Sequence, residues 1–243
     1  MSALAFITPD AGERALARTP MSAVAAAAGA TTVTRDGWEL AASFADPQTE
    51  RRRLRETVAF ADRSPMAKLE IQAEPRALAE LVAQAGGGVE LELGSAVRAA
   101  DGTWWCPVTR TRVLALCEPG PAAGLRSAVA SAASRADSTV TVCELTSALA
   151  GLSLVGPGAA ELLARFCAID VRPAVCPVAA FRPGSIARTP GYLLREGQHE
   201  LLLLVGWALG QYLWEVVADA ARVLGGGPVG AEALAANREP DDA

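Results

Sequence analysis

Two short stretches of the sequence concentrate side chains that could do chemistry. The first, RTPGYLLREGQHELLLLVG at 188–206, holds the only histidine of the chain beside two arginines, a Gly-Tyr pair and two glutamates. The second, TWWCPVTRTR at 103–112, holds two tryptophans, a thiol and two arginines. The first stretch is either a hairpin that only reverses the chain or the wall of a binding site. The second is either an irregular strand that caps the core or a pocket wall, where an indole stacks on a flat ligand.

Strands and helices must position these stretches, and apolar periodicity predicts where they lie. Strand patterns alternate with helical patterns along the chain. The strands are predicted at 67–72, 111–118, 150–156 and 200–205, and the helices at 75–85, 121–134, 157–167 and 208–226. The second half repeats the order of the first at an offset of roughly 85 residues, longer than solenoid repeats. The sequence therefore predicts an α+β fold of two packed, internally duplicated strand–helix halves, each a two-layer sandwich.

This duplication also predicts core positions and boundaries. Corresponding core strands are expected to hold Leu69, Leu114, Leu154 and Leu202. The folded domain is predicted at 17–237, with halves of approximately 17–140 and 141–237, because 243 residues suit one large or two intimately packed domains. A loose N-terminus at 1–16 and an acidic tail at 238–243 are expected to flank it.

Composition excludes several classes of protein. Half of the residues are apolar, the net charge is −5, and the one basic block is RRRLR at 51–55, so a nucleic-acid partner is not expected. The most apolar run, 201–210, is about half of what a membrane span needs, which predicts a cytoplasmic protein without membrane partners. Five cysteines without a Cys-x-x-Cys pair, and a single histidine, predict reduced thiols and no metal site.

Short motifs follow one another along the chain in a recognisable order. They are RTP at 18–20, GA at 29–30, GWE at 37–39, FADRSPM at 60–66, RTPGYLLREGQHE at 188–200 and LWEVV with GGGPVG at 213–230. In this order they resemble the glycine-cleavage T-protein family of folate-dependent aminomethyltransferases. The second half is also similar to the gamma subunit of heterotetrameric sarcosine oxidase. That short relative lacks the family's C-terminal β-domain, and this sequence ends where that domain would begin.

The resemblance implies a ligand and a set of contacts. Tetrahydrofolate would lie in a central channel lined by the Gly-Tyr…Glu hairpin, with Tyr192 and Glu200 as contacts. Glu196 is an alternative to Glu200, because the turn here is one residue longer. A carboxylate suits the pterin, whose amino group and ring N–H form an edge with two donors. His199 has no counterpart in the family pattern, and strand alternation turns it away from Glu200 towards solvent.

The departures from the family pattern concern the reacting centre. The family places paired aspartates where this chain has Cys106-Pro107, and Asp101 lies in the preceding turn. Asp101 and Cys106 are therefore the catalytic candidates, although a thiol is a poor substitute for a carboxylate beside a developing iminium. Trp104 and Trp105 are candidate ligand contacts, of which alternation allows only one to face the pocket. Cys106 is expected beside the pocket but without a base to activate it.

Three functions remain open at this point. The first is a divergent enzyme that transfers a one-carbon unit between an amine-type substrate and tetrahydrofolate. The second is a non-catalytic scaffold, like the gamma subunit, that binds a protein partner of an oxidase or demethylase complex. The third is a pocket repurposed for another small molecule. The missing aspartates favour the second and third functions, and the retained hairpin and GWE segment favour the first.

Overall fold

A computed structural model describes residues 16–238 of the chain. The strands are β1 Ala17–Arg18, β2 Thr31–Arg35, β3 Trp38–Ser43, β4 Ala59–Asp62, β5 Ala67–Gln72, β6 Val97–Arg98, β7 Trp104–Thr109, β8 Arg112–Cys117, β9 Thr141–Glu144, β10 Leu149–Val155, β11 Phe181–Ile186, β12 Thr189–Gly197, β13 Glu200–Gly206 and β14 Gly227–Pro228. The helices are α1 Ser22–Ala27, α2 Pro47–Glu56, α3 Pro75–Ala85, α4 Ala122–Ala133, α5 Ala159–Ala164, α6 Gly210–Val223 and α7 Ala231–Arg238. Within 16–238, every helix is too short or too polar to cross a membrane.

Two large sheets share one topology, which confirms the predicted duplication. The first has the strand order β6-β7-β8-β5-β9, and the second has the order β11-β12-β13-β10-β4-β14. From one edge, β6-β7-β8-β5 correspond to β11-β12-β13-β10, and neighbouring strands in both sets are antiparallel. The fold is therefore α+β with two similar halves, as the sequence predicts.

Each half contributes one strand to the sheet of the other half. Strand β4 leads directly into β5, but it pairs with β10 of the other sheet. Strand β9 leads into β10, but it pairs with β5. Each half thus completes the sheet of its partner. The predicted boundary between the halves, at residues 140 and 141, therefore separates β9 from the sheet to which it belongs.

The core has three main layers between these elements. Helices α3 and α4 cover one face of the five-stranded sheet, and α1, α5 and α6 cover one face of the other sheet. The remaining faces of the two sheets pack against each other. Leu69 and Leu154 lie in the helix-covered layers, whereas Leu114 and Leu202 meet in the layer between the sheets. All four leucines occupy corresponding strands, as predicted.

A small third sheet, in the order β1-β3-β2, is built from the RTP and GWE segments. Its hairpin turns at Asp36 and Gly37, which have φ values of +52° and +79°. Two consecutive positive φ values are typical of the tight turn that joins twisted antiparallel strands. Helix α7 packs on β3 of this sheet and reaches the end of the layer between the large sheets.

Candidate functional site

Three strands direct apolar side chains into the layer between the sheets, and each row ends in a glutamate. Residues two apart share a face of a strand, so each row can be followed in the sequence. The rows are Tyr192, Leu194 and Glu196 in β12, Leu204, Leu202 and Glu200 in β13, and Leu114, Leu116 and Glu118 along and just after β8. At one end of the molecule the apolar layer therefore gives way to carboxylates.

Arg63 joins the glutamates of the two sheets. Its guanidinium donates to Glu196 Oε2 at 2.6 Å and to Glu118 Oε1 at 2.5 Å. A further hydrogen bond runs to Ser153 Oγ at 3.3 Å, and the Arg63 side chain is only 6% exposed. Arg63 lies in the connection from β4 to β5, where the chain passes from one sheet to the other. Its position in this crossing allows it to reach both.

Arg238 closes the cluster from the end of α7. It donates from Nη1 to Glu118 Oε1 at 3.1 Å, from Nη2 to Glu196 Oε2 at 3.0 Å and from Nε to Glu200 Oε1 at 2.7 Å. Arg238 was predicted to begin the acidic tail at 238–243. The structure corrects this, because the residue ends a helix and pairs with three carboxylates. The other predicted tail residues, 239–243, and residues 1–15 lie outside the described range.

The charges in this cluster shift one another's ionisation. Burial would raise the pKa of Glu118, but Arg63 and Arg238 outweigh it and hold the pKa below its ordinary value. Burial would likewise lower the pKa of Arg63, but Glu196, Glu118 and Glu200 raise it above its ordinary value. Glu118 and Arg63 therefore stay ionised near neutral pH. Within 16–238, no group of three or more His, Cys, Asp and Glu side chains is arranged to hold a metal ion.

Two adjacent cavities flank this cluster. The glutamate cavity, of about 240 Å³, is lined by Glu118, Glu196, Glu200, Trp104, Arg98 and Cys117 together with Arg63, Met66 and Arg238. The proline cavity, of about 390 Å³, is lined by Pro65, Pro119 and Pro121. The rest of its lining is mostly apolar and includes several charged residues. They share a wall formed by Arg63, Met66, Glu118 and Arg238.

Three of the candidate ligand contacts meet at the glutamate cavity. Glu196, Glu200 and Trp104 come from three different strands and line the same space. Glu196 is brought level with Glu200 by an irregularity in the β12–β13 pairing between Arg195 and Gly197. Trp104 is 7% exposed, and the Arg98 guanidinium carbon lies 5.7 Å from the centroid of its ring.

The structure places Tyr192 and Trp105 elsewhere, which corrects their grouping with the other contacts. Tyr192 stacks on Phe181 in the layer between the sheets, with ring centroids 5.6 Å apart. It lies four residues from Glu196, or about 13 Å along the strand. Trp105 is fully buried on the helix-covered face of its sheet, opposite to Trp104. As expected, only one of the paired tryptophans faces the cavity, and His199 is exposed.

Neither of the catalytic candidates, Asp101 and Cys106, lines the glutamate cavity. Asp101 is exposed, and its Oδ1 accepts a hydrogen bond from the Thr103 N–H at 2.9 Å, which is a turn contact. Cys106 is fully buried in the layer between the sheets. Burial, with a further contribution from Glu196, raises the pKa of the Cys106 thiol well above its ordinary value. This agrees with a non-nucleophilic thiol but places it in the core rather than beside a pocket.

The layer between the two large sheets is filled by side chains. Residues of both sheets occupy the space between them and are at most 7% exposed; they include Trp104, Cys106, Leu114, Leu116, Phe181, Leu194, Leu202 and Leu204. Space for a ligand is therefore found at the charged end of this layer rather than through its middle.

Sequence reasoning missed Arg63, Glu118 and Arg238. A signal for Glu118 was present, because it continues the alternate row of Leu114 and Leu116 beyond the end of β8. Arg63 offered a weaker signal, as the one basic residue of the segment FADRSPM. Their meeting depends on the exchange of strands between the halves, which no local pattern reveals.

Comparison with solved structures identifies the fold. Aminomethyltransferase T of the glycine cleavage system from Bartonella henselae superposes on 90% of this chain with a TM-score of 0.73 and 16% identity. The protein has the T-protein fold. A chain of the heterotetrameric sarcosine oxidase from Corynebacterium sp. U-96 also superposes, with a TM-score of 0.67 and 22% identity, over 86% of this chain and 96% of its own length.

The T-protein fold confirms the resemblance drawn from the short motifs. This chain spans 60% of the length of the aminomethyltransferase from Bartonella henselae. No protein-family model matches the sequence, and no curated protein sequence matches it significantly. The likeness therefore concerns the T-protein fold itself.

Proposed function

We propose that this protein binds a flat, nitrogen-rich small molecule of the tetrahydrofolate type in the glutamate cavity. The observation that carries the proposal is the convergence of Glu196, Glu200 and Trp104, three residues selected from the sequence, on one cavity. A carboxylate is the natural acceptor for the two donors on the edge of a pterin. An indole face beside it suits a flat ring.

Arg238 determines how such a ligand would enter. It occupies acceptor sites on Glu196 and Glu200, and its side chain is 28% exposed. A pterin that donates to Glu200 would replace this arginine, so that one charge-assisted contact is exchanged for another. Glu118, whose side chain is 56% exposed, then faces the bound molecule. An ionised carboxylate there would stabilise a cationic one-carbon intermediate, and transfer of such a unit stays a prediction.

Thermal unfolding tests the binding proposal. Tetrahydrofolate at 100 times its Kd is expected to stabilise the protein by about 2.7 kcal/mol and to quench tryptophan fluorescence through Trp104. Glu200→Gln should abolish the thermal shift. Glu232→Gln, an exposed position in the first turn of α7, is the matched control and should leave the shift unchanged. Absence of any shift for the unaltered protein at millimolar tetrahydrofolate would exclude folate binding.

A second candidate function is that of a subunit in a complex, and the filled layer between the sheets favours it. A scaffold needs a rigid interior and no channel. The sarcosine oxidase chain that superposes over nearly its whole length belongs to a heterotetramer. Purification of the tagged protein from its own cells should then yield an assembly larger than one chain, with an oxidase-type subunit in it. Recovery as a single chain under mild conditions would count against this role.

A further inference from the structure

The proline cavity is a second space with the composition of a ligand site. It lies between the β2–β3 hairpin, the turn at 119–121 and helix α7. Its walls are mainly apolar and include Leu40, Ala41, Met66 and Leu234. Its volume of about 390 Å³ falls within the range of small-molecule sites, which combine apolar walls with a few polar groups.

Asp62 is a half-buried carboxylate in this wall that lacks a cation in contact. Its Oδ1 accepts from the Ser64 N–H at 2.8 Å, and Thr19 supplies a further neutral hydrogen bond. Within 16–238, no arginine or lysine lies within ion-pair distance of Asp62. Burial raises the pKa of Asp62 above its ordinary value, against the hydrogen bonds from Ser64 and Thr19 and the charge of Lys68.

Three of the cations around Asp62 are bonded to other groups, and a fourth, Arg35, lies at the exposed rim of the cavity. Lys68 donates from Nζ to the carbonyl oxygens of Ser64 at 2.7 Å and Met66 at 2.9 Å. Arg63 and Arg238, which also line the proline cavity, are bonded to the glutamates on its far side. A carboxylate in an apolar wall without a cation is costly, and a cation delivered by a ligand would offset that cost.

We infer that the proline cavity binds a small apolar amine, with its ammonium group paired to Asp62 and its apolar body against Leu40, Ala41 and Met66. This site is separate from the glutamate cavity and does not depend on folate binding there. The shared wall of Arg63 and Glu118 would place the two ligands on opposite sides of one ion pair.

Benzylamine serves as the probe, and benzyl alcohol, which has the same shape without the charge, serves as its control. Calorimetry should detect benzylamine binding that is about tenfold or more tighter than binding of benzyl alcohol, because the ion pair adds a charge-assisted contact. Asp62→Asn should remove this difference. Asp36→Asn, at an exposed position on the rim of the same cavity, should preserve it.

Two further variants keep the test decisive. If Asp62→Asn fails to fold, Ala41→Leu narrows the cavity from a half-buried wall position and should abolish benzylamine binding. The benzylamine affinity should be the same with and without tetrahydrofolate, which separates this site from the glutamate cavity. Equal affinity for benzylamine and benzyl alcohol, or unaltered benzylamine binding by a folded Asp62→Asn variant, would overturn the inference.

Discussion

Arg63 is the residue on which the charged end of the molecule most depends. Replacing it by methionine removes the buried partner of Glu196, whose side chain is 7% exposed, while Arg238 still contacts the carboxylate. We expect Arg63→Met to lower the free energy of unfolding by about 3 kcal/mol, because a nearly buried charge loses its main partner. Urea unfolding followed by circular dichroism measures this loss.

A matched control and a second substitution test whether the unpaired Glu196 carboxylate causes this loss of stability. Arg76 forms an exposed ion pair with Glu80 on α3, so Arg76→Met should leave the stability nearly unchanged. Adding Glu196→Gln to Arg63→Met should recover part of the loss, since the unpaired charge is then gone. Similar losses for the two arginine variants would show that Arg63 acts as an ordinary surface residue.

Lys68 makes stability depend on pH in a defined direction. Burial lowers its pKa from 10.5 to about 7, so between these values the unfolded chain binds a proton that the folded protein does not. Stability therefore increases with pH across this window, and the contribution is constant below it. Lys68→Met should remove the effect. The wild type should gain stability relative to this variant as the pH rises from 7 to 10, measured by urea unfolding; parallel curves would contradict the assignment.

At the scale of elements, α7 brings Arg238 to the site because its start packs tightly on β3. A Cβ at Gly230 would lie 1.8 Å from the Ala42 carbonyl oxygen. The Gly230 N–H also donates to the buried carboxylate of Glu50 at 3.0 Å. Gly230→Ala is therefore expected to release α7 and to speed hydrogen exchange at 231–238 by more than about tenfold.

Gly120→Ala is the control for this helix. A Cβ at Gly120 meets no atom within 4 Å, although the residue lines the same proline cavity. Its exchange at 231–238 should match that of the wild type. If Gly230→Ala gave the same exchange as Gly120→Ala, the close backbone approach would not be what holds α7 in place.

At the scale of the whole molecule, the exchanged strands make the halves dependent on each other. A fragment of 16–140 lacks β9, and its β4 has no neighbour without β10. A fragment of 141–238 has the opposite deficiency. We expect each fragment to be unfolded alone by circular dichroism and the mixture to regain structure and elute as a one-to-one complex. A cooperative unfolding transition in either isolated fragment would contradict this dependence.

The order of the elements follows from the sequence because its causes are local. The strand at 67–72 and the helix at 75–85 lie where periodicity and Pro75 place them. The strand at 150–155 in the second half corresponds to the strand at 67–72. Short-range alternation also sends Trp104 and Trp105 to opposite faces. Helix α5 ends at Ala164, earlier than the predicted 167, because the N–H groups of Arg165 and Phe166 turn to carbonyls three residues back.

The sequence by itself determined the two-half α+β fold and its core strands, since each depends on neighbours along the chain, whereas Glu196 and Glu200 were singled out by the family resemblance. Only the tertiary structure decided that Arg63 meets Glu118 and Glu196, which lie 55 and 133 positions away. Arg238 joins them from the end of the last described helix. Such meetings depend on strand register and on the exchange of β4 and β9, which are set by packing of both halves and leave no local pattern.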